Sequence, residues 1–286
     1  MRIALKVAYI GSKFHGLKIQ PDVNTIEHEL FSALEQMGLI VDVESANYAA
    51  AARTDTEVHS IGQVIAFDTD RPDLAIPRAI NEKLPPSIRM WSRAEVPDDF
   101  DPARDALHRT YRYILTGEHD ISRIRNAAKV FLGTHDFFNF TSSQTSNTAS
   151  DMRNIEKIDV RIDGNHTIID ITANSFLWNM VRRMIAALAM IGCGDRDEEW
   201  LKDMLNPQMF EEGMGQFSIN AAPACGLILA DVDYGKTIKW VDDEYSKRKA
   251  VESLHKHYLK YSTMAEVFRF MASSMKPQPI SDASEP

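Results

Sequence analysis

The stretch AARTDTEVHS, residues 51 to 60, carries Arg53, Asp55, Glu57 and His59 at alternate positions, followed by the apolar-rich GQVIAF. Extended backbone projects alternate side chains from one face, so all four would point together, into water or into a cleft. Spacing alone leaves two readings open. One is a solvated edge strand or turn, as charge runs commonly are. The other is a catalytic carboxylate, acting as nucleophile or base, with an arginine two positions away. Further along, HRTYRYIL sets Arg109, Tyr111 and Tyr113 on one face of a strand. That pattern suits single-stranded RNA, whose bases stack on rings and whose phosphates pair with guanidinium groups. It suits equally a strand with its aromatics in the core. Arg182 and Arg183 interrupt an apolar helix, and helical rotation lets at most one of them face the core side. A buried guanidinium needs a carboxylate partner, and Asp55 is the candidate for Arg182. No HxxxH or HxH spacing joins His15, His59, His135, Asp136 and Glu57 into a metal site, and no P-loop, GxGxxG or GxSxG segment occurs. The residues therefore point to neither a metal nor a cofactor.

The elements that must position these groups follow from periodicity. Ile3, Leu5, Val7 and Tyr9 alternate with smaller or charged residues, the period of a half-buried strand, until GSKFHG breaks it. Asn24 and Glu27 are spaced as a capping box, and Ile26, Leu30, Ala33, Leu34 and Met37 recur at helical spacing up to Gly38. Strands are expected over 43–51 and 61–69, a short helix over 73–84 before Pro85-Pro86, and another strand in SIRMWSRAEV. The order then repeats: a strand over 108–116, a helix over 121–132, strands over 154–162 and 166–173, helices over 175–191 and 197–205, and a strand over 226–233. Two β-α-β-β-α-β units in tandem predict an α+β fold of two ferredoxin-like halves. Their mainly antiparallel sheets would join, with helices on one face and the site in the cleft between halves. The expected division is 1–104, 105–235 and an extension over 236–286, one or two amphipathic helices ending in a frayed KPQPISDASEP. Lys247, Arg248 and Lys249 in that extension read as a solvated helix face or an RNA contact.

Bulk properties narrow the class. A chain of 286 residues with a formal net charge of -9 is not basic all over; an RNA partner would need a local concentration of arginines. Two isolated cysteines, Cys193 and Cys225, exclude a disulfide framework and fit a reducing compartment. MRIALKVAYIGSKF has no signal-peptide pattern, and SFLWNMVRRMIAALAMIG carries Asn179, Arg182 and Arg183 in its middle, so no membrane anchor is expected.

Taken together, seven segments in the same order resemble the TruA class of tRNA pseudouridine synthases. ARTDTEVHS is similar to that family's GRTDxGVH, and YIGSKFHGLKIQP to its YDGxxYxGxQxQ opening. NEKLPPSIRMW, DFDPARDALHRTYRYIL, AAKVFLGTHDFFNF, NSFLWNMVRRMIA and APACGLILADVDY resemble NxxLPxDI, FHARxxAxxKxYRYxI, a helix with GxHDFxxF, xxFLxxMVRxxxG and APxxGLxLxxVxY. The likeness spans most of residues 3 to 234. It implies isomerisation of uridine to pseudouridine at positions 38 to 40 of the tRNA anticodon stem-loop, by a cytoplasmic homodimer needing no cofactor. By motif match Asp55 is the catalytic aspartate, Arg53 helps displace the target base, Tyr111 packs against the flipped uracil, and Arg182 pairs with Asp55. Three departures stand out. Glu57 and Ala52 replace family glycines, and the Thr116–Ile121 stretch is shorter than the family's. An RNA-binding relative with weak or absent catalysis is the alternative these departures raise; a hydrolase built on Asp55, Glu57 and His59 is a third reading.

Overall fold

The computed structural model describes residues 1–142, 151–206 and 219–275. The first half runs β1 (Arg2–Tyr9), α1 (Ile26–Gln36), β2 (Ala49–Ala50), β3 (His59–Asp68), α2 (Pro77–Asn81) and β4 (Ile88–Val96). The second runs β5 (His108–Thr116), α3 (Ile121–Val130), β6 (Gly133–Asp136), β7 (Met152–Asp163), β8 (His166–Ala173), α4 (Met180–Cys193), α5 (Glu198–Met204) and β9 (Leu227–Asp233). After it come β10 (Val241–Asp242) and α6 (Glu244–Ser274).

All strands belong to one sheet in the order β10-β4-β1-β3-β9-β5-β8-β7-β6, with β2 pairing β3 off that path. Every pairing is antiparallel except β3 with β9. The outer edge of β3 is shared by two partners. Its far end pairs with β2 through Ala49↔Ala66 and Ala50↔Ile65, while its start pairs with β9 through His59↔Ile228 and Ser60↔Leu229. Gly62 permits this parallel joint, since a Cβ there would lie 2.5 Å from the Asp231 Cα. The chain between β2 and β3, residues 51 to 58, therefore emerges where the two parts of the sheet meet.

Alternation decides which face is buried. Ile3, Leu5, Val7 and Tyr9 of β1 pack with Ile26, Leu30 and Leu34 of α1; Tyr111, Tyr113, Ile169 and Ile171 pack with Ile124 of α3 and Met184 and Leu188 of α4. Each such fully buried side chain contributes about 1.5–3 kcal/mol. The opposite face of the β5–β8 region is wet, and its Arg112, Asp170, Arg161 and Asp159 form ion pairs across the strands.

Several local expectations are corrected. The strand over 43–51 shrinks to Ala49–Ala50, because Asp42 starts a turn by accepting from Ser45 N through its carboxylate and from Ala46 N through its carbonyl. The cap of α1 is Thr25, whose Oγ1 accepts from His28 N, while the Asn24 side chain donates to Glu29 instead. The helix over 73–84 is one 3-10 turn, Pro72–Leu74, and the five-residue α2, each opened by a proline. The helix expected from 175 begins at Met180, because Asn179 holds a left-handed φ of 62°. The extension is a single 31-residue helix, resting on Asn81 through Ser246 and on Pro86 through Ser253. Lys247 pairs with Asp242 and Glu244, and Lys249 with Glu252, on a solvated face. The frayed end expected over 276–286 lies outside the described residues. Among the described residues no helix is long and apolar enough to cross a membrane.

Candidate active site at the junction of the sheet

Residues 51 to 58 are not extended, so the four alternating charges do not form one array. Ala51 N still donates to Val64 O, continuing the β2–β3 ladder. At Ala52 the ladder is completed by a side chain: Gln63 Oε1 accepts from Ala52 N at 3.2 Å and Gln63 Nε2 donates to Ala52 O at 2.7 Å. Tyr9 and Thr54 share a hydroxyl hydrogen bond of 2.7 Å beneath the loop. Burial raises the Tyr9 phenol to about 12, the Thr54 and Gln63 contacts opposing it, so it stays a neutral hydrogen-bonding group. Leu17 N donates to Thr54 O from above. The turn after β1 lies flat on this loop, and glycine allows it: a Cβ on Gly11 would meet Val58 O at 2.1 Å, and one on Gly16, whose φ is +90°, would meet Thr54 O at 3.0 Å. Both come from GSKFHG.

A cavity of about 440 Å³ opens beside the loop, lined by Arg53, Asp55, Tyr111, Phe176, Trp178, Arg182 and Leu227 among others. That volume is in the range of small-ligand sites. A second, more polar cavity of about 510 Å³ is lined by His15, Lys18, Glu57 and Pro223. Arg53, Thr54, Asp55, Trp178, Asn179 and Arg182 border both, so the carboxylate stands on the wall between them. All four residues singled out from the sequence, Arg53, Asp55, Tyr111 and Arg182, thus converge on one cavity from the 51–58 loop, β5 and α4.

The geometry around Asp55 is specific. Arg182 Nη1 lies 3.7 Å from Asp55 Oδ2, beyond a good hydrogen bond. The guanidinium is aimed by its other contacts, Nε donating to Ala222 O at 2.7 Å and Nη1 to Asn179 Oδ1 at 3.0 Å. Trp178 Nε1 donates to Asp55 Oδ1 at 3.1 Å. Arg53 is exposed at the mouth. Tyr111 is buried with its ring edge-on to Phe176, centroids 5.2 Å apart, and desolvation, before the nearby Asp55 charge, pushes its phenol up and keeps it neutral.

On the same face of β5, Arg109 and Tyr113 are tied to backbone carbonyls. Arg109 donates to the carbonyls of Ala51, Ala103 and Asn174, and Tyr113 to that of Pro223; hydrogen bonds to a charged group stabilise by about 1.5–3 kcal/mol each. Of the three residues on this face, Arg109 and Tyr111 line the cavity and Tyr113 does not. Arg183 is the more buried of the arginine pair, yet its donors go to Thr141 O and Ser142 Oγ and not to a carboxylate. Burial lowers the pKa of this arginine, and its buried Nε has no hydrogen-bond partner among the described residues. His59 accepts from Gly11 N through Nδ1, and desolvation lowers its pKa from 6.5, so it braces the loop as a neutral imidazole. Sequence reasoning passed over Trp178, Gln63 and Tyr9. The one available signal was Gln63, a polar residue inside the apolar run GQVIAF.

The site is thus a carboxylate beside an aromatic-lined cavity with arginines at its edge, an arrangement that suits an enzyme acting on a flipped base. A family model described as tRNA pseudouridine synthase matches residues 127–235. The tRNA pseudouridine synthase A of Methanosarcina mazei is 55% identical over 268 residues, covering 93% of this chain and 97% of the relative. That of Methanosarcina acetivorans is 52% identical, covering 96% and 99%, and that of Archaeoglobus fulgidus 38% identical, covering 96% and 98%. The chain belongs to the tRNA pseudouridine synthase A family.

Proposed function

We propose that the protein isomerises uridine to pseudouridine in tRNA with Asp55 as its catalytic group, at positions 38 to 40 of the anticodon stem-loop, and that it works as a homodimer. The observation that carries the catalytic assignment is the convergence of Arg53, Asp55, Tyr111 and Arg182 on one cavity from three separate elements. Family membership supports the activity; the stem-loop positions and the dimer rest on the motif resemblance. The strand orders β4-β1-β3-β2 and β9-β5-β8-β7 support reading residues 1–104 and 105–235 as two ferredoxin-like halves, each in the order fourth-first-third-second, with an extension from residue 236 on.

The reaction breaks N1–C1′, turns the uracil and joins C5 to C1′. The C5 hydrogen leaves as a proton and N1 gains one, so atoms and electrons balance within the substrate and solvent. A paired uridine cannot rotate in this way and must first be extruded, at a cost of a few kcal/mol. In this account Arg53, at the cavity mouth, takes the place of the departing base. Tyr111 and Leu227 pack on the uracil, and the neutral Tyr111 phenol keeps a hydrogen-bonding group beside it. The Asp55 carboxylate attacks or takes a proton at the reacting carbon, with Arg182 holding a positive charge 3.7 Å away. Lys18, Arg53 and Arg182 line the second cavity beside Asp55 and Glu57, and Arg53 is the cation there that can reach a phosphate without first leaving a carboxylate.

Incubation of an unmodified tRNA transcript, followed by pseudouridine mapping through carbodiimide-blocked primer extension, tests the assignment. Stops confined to positions 38 to 40 are expected. Stops elsewhere would contradict the stem-loop assignment, and no stops at all would contradict the activity.

A further inference from the structure

Trp178 is an odd residue to find at the surface. It is 58% exposed, at the wall shared by both cavities, and its indole donates across the cleft to Asp55, 123 positions away in sequence. Its backbone is fixed. Trp178 O accepts from Ser142 N at 3.1 Å and from Thr141 Oγ1 at 3.4 Å, and the left-handed Asn179 turns the chain directly into α4. No aromatic ring stacks on the indole among the described residues. Among the described residues the exposed ring makes one hydrogen bond, so moving it off Asp55 breaks that bond and leaves the backbone in place.

The position of that bond sets the problem. Asp55 Oδ1 is taken by Trp178, and Oδ2 faces Arg182. A uridine placed in the smaller cavity, with its sugar and phosphates along the polar one, must bring a reacting carbon to this carboxylate past the indole. The ring has to leave, and the nearest surface that rewards it is the flat face of a neighbouring base, since every base presents a π-face.

We propose that Trp178 is a latch exchanged by the substrate: in the free protein its N–H holds and covers Asp55, and in the complex the ring swings off the carboxylate and stacks on the nucleotide beside the extruded uridine. This rests on the reading of the cavity as the uridine site. Trp178 is then a substrate-stacking residue, and its contribution falls on RNA binding more than on the chemical step.

The test uses the full chain with an unmodified tRNA transcript and the variants Trp178→Ala and Trp178→Phe. Removing a stacked ring weakens binding roughly 10- to 100-fold, so Trp178→Ala raises KM by that factor and changes kcat far less. Trp178→Phe keeps a stacking face and lacks the N–H, and recovers most of the loss. Tryptophan fluorescence falls on tRNA binding in the wild type, and the part assigned to residue 178 is missing in Trp178→Phe. The proposal is overturned if Trp178→Ala binds tRNA as tightly as wild type, if Trp178→Phe falls as far as Trp178→Ala, or if no quench is traceable to residue 178. Binding and fluorescence need no turnover, so they decide the latch even on a preparation in which no isomerisation is detected, an outcome that would count against the proposed activity alone.

Discussion

Glu57 occupies the third position of the turn Asp55-Thr56-Glu57-Val58, closed by Val58 N donating to Asp55 O at 3.2 Å, and its φ is +67°. A positive φ at that position is where a tight turn favours glycine. A side chain there costs roughly 1–2 kcal/mol, whereas a glycine loses about 0.4–1 kcal/mol through its freer unfolded chain. The difference favours glycine. Glu57→Gly is expected to raise stability by about 0.5–1 kcal/mol, or the melting temperature by about 2 °C, read by urea and thermal unfolding; a lower midpoint would show that the turn is not strained. Ala52, the other departure from the family motif, has no positive φ and sits comfortably between the two arms of Gln63. Nothing in the structure explains why a glutamate stands at position 57. At this scale Arg53, Asp55, Tyr111 and Arg182 could be singled out as candidates because their motifs are local, and they line one cavity. Trp178 was not, because a hydrogen bond spanning 123 positions leaves no mark in spacing.

At the scale of elements, periodicity was a good guide wherever one face is buried. The alternation of β1, β5 and β8 reads directly, as does α3, whose cap Asp120 accepts from Ser122 N and Arg123 N. It failed where side chains override pattern. Asp42 and its turn replace most of a strand, and residues 175 to 179 form a cavity wall instead of a first helical turn, although SFLWNM is apolar enough to be helical. β6 is four residues long and carries no period of its own. The divided edge of β3 could not be foreseen either, since it depends on a two-residue β2 and on Gly62 lying against Asp231. That division is what places the 51–58 loop over β9 and Asp55 within reach of α4.

For the molecule as a whole, one sheet runs from β10 to β6, and Arg109 ties the carbonyls of Ala51 and Ala103 to that of Asn174. The mainly antiparallel character of the sheet was legible from the repeated element order; the parallel pairing of β3 with β9 was not. The proposed homodimer predicts a light-scattering mass near twice that of one chain, and a single-chain mass at micromolar concentration would remove it. Asp55 is the group proposed to drive isomerisation. Release of tritium from tRNA labelled at uracil C5 measures that step directly. The wild-type protein should release it, and Asp55→Ala should do so roughly 10³-fold more slowly or not at all while still binding tRNA. Release by Asp55→Ala at the wild-type rate would contradict the mechanism.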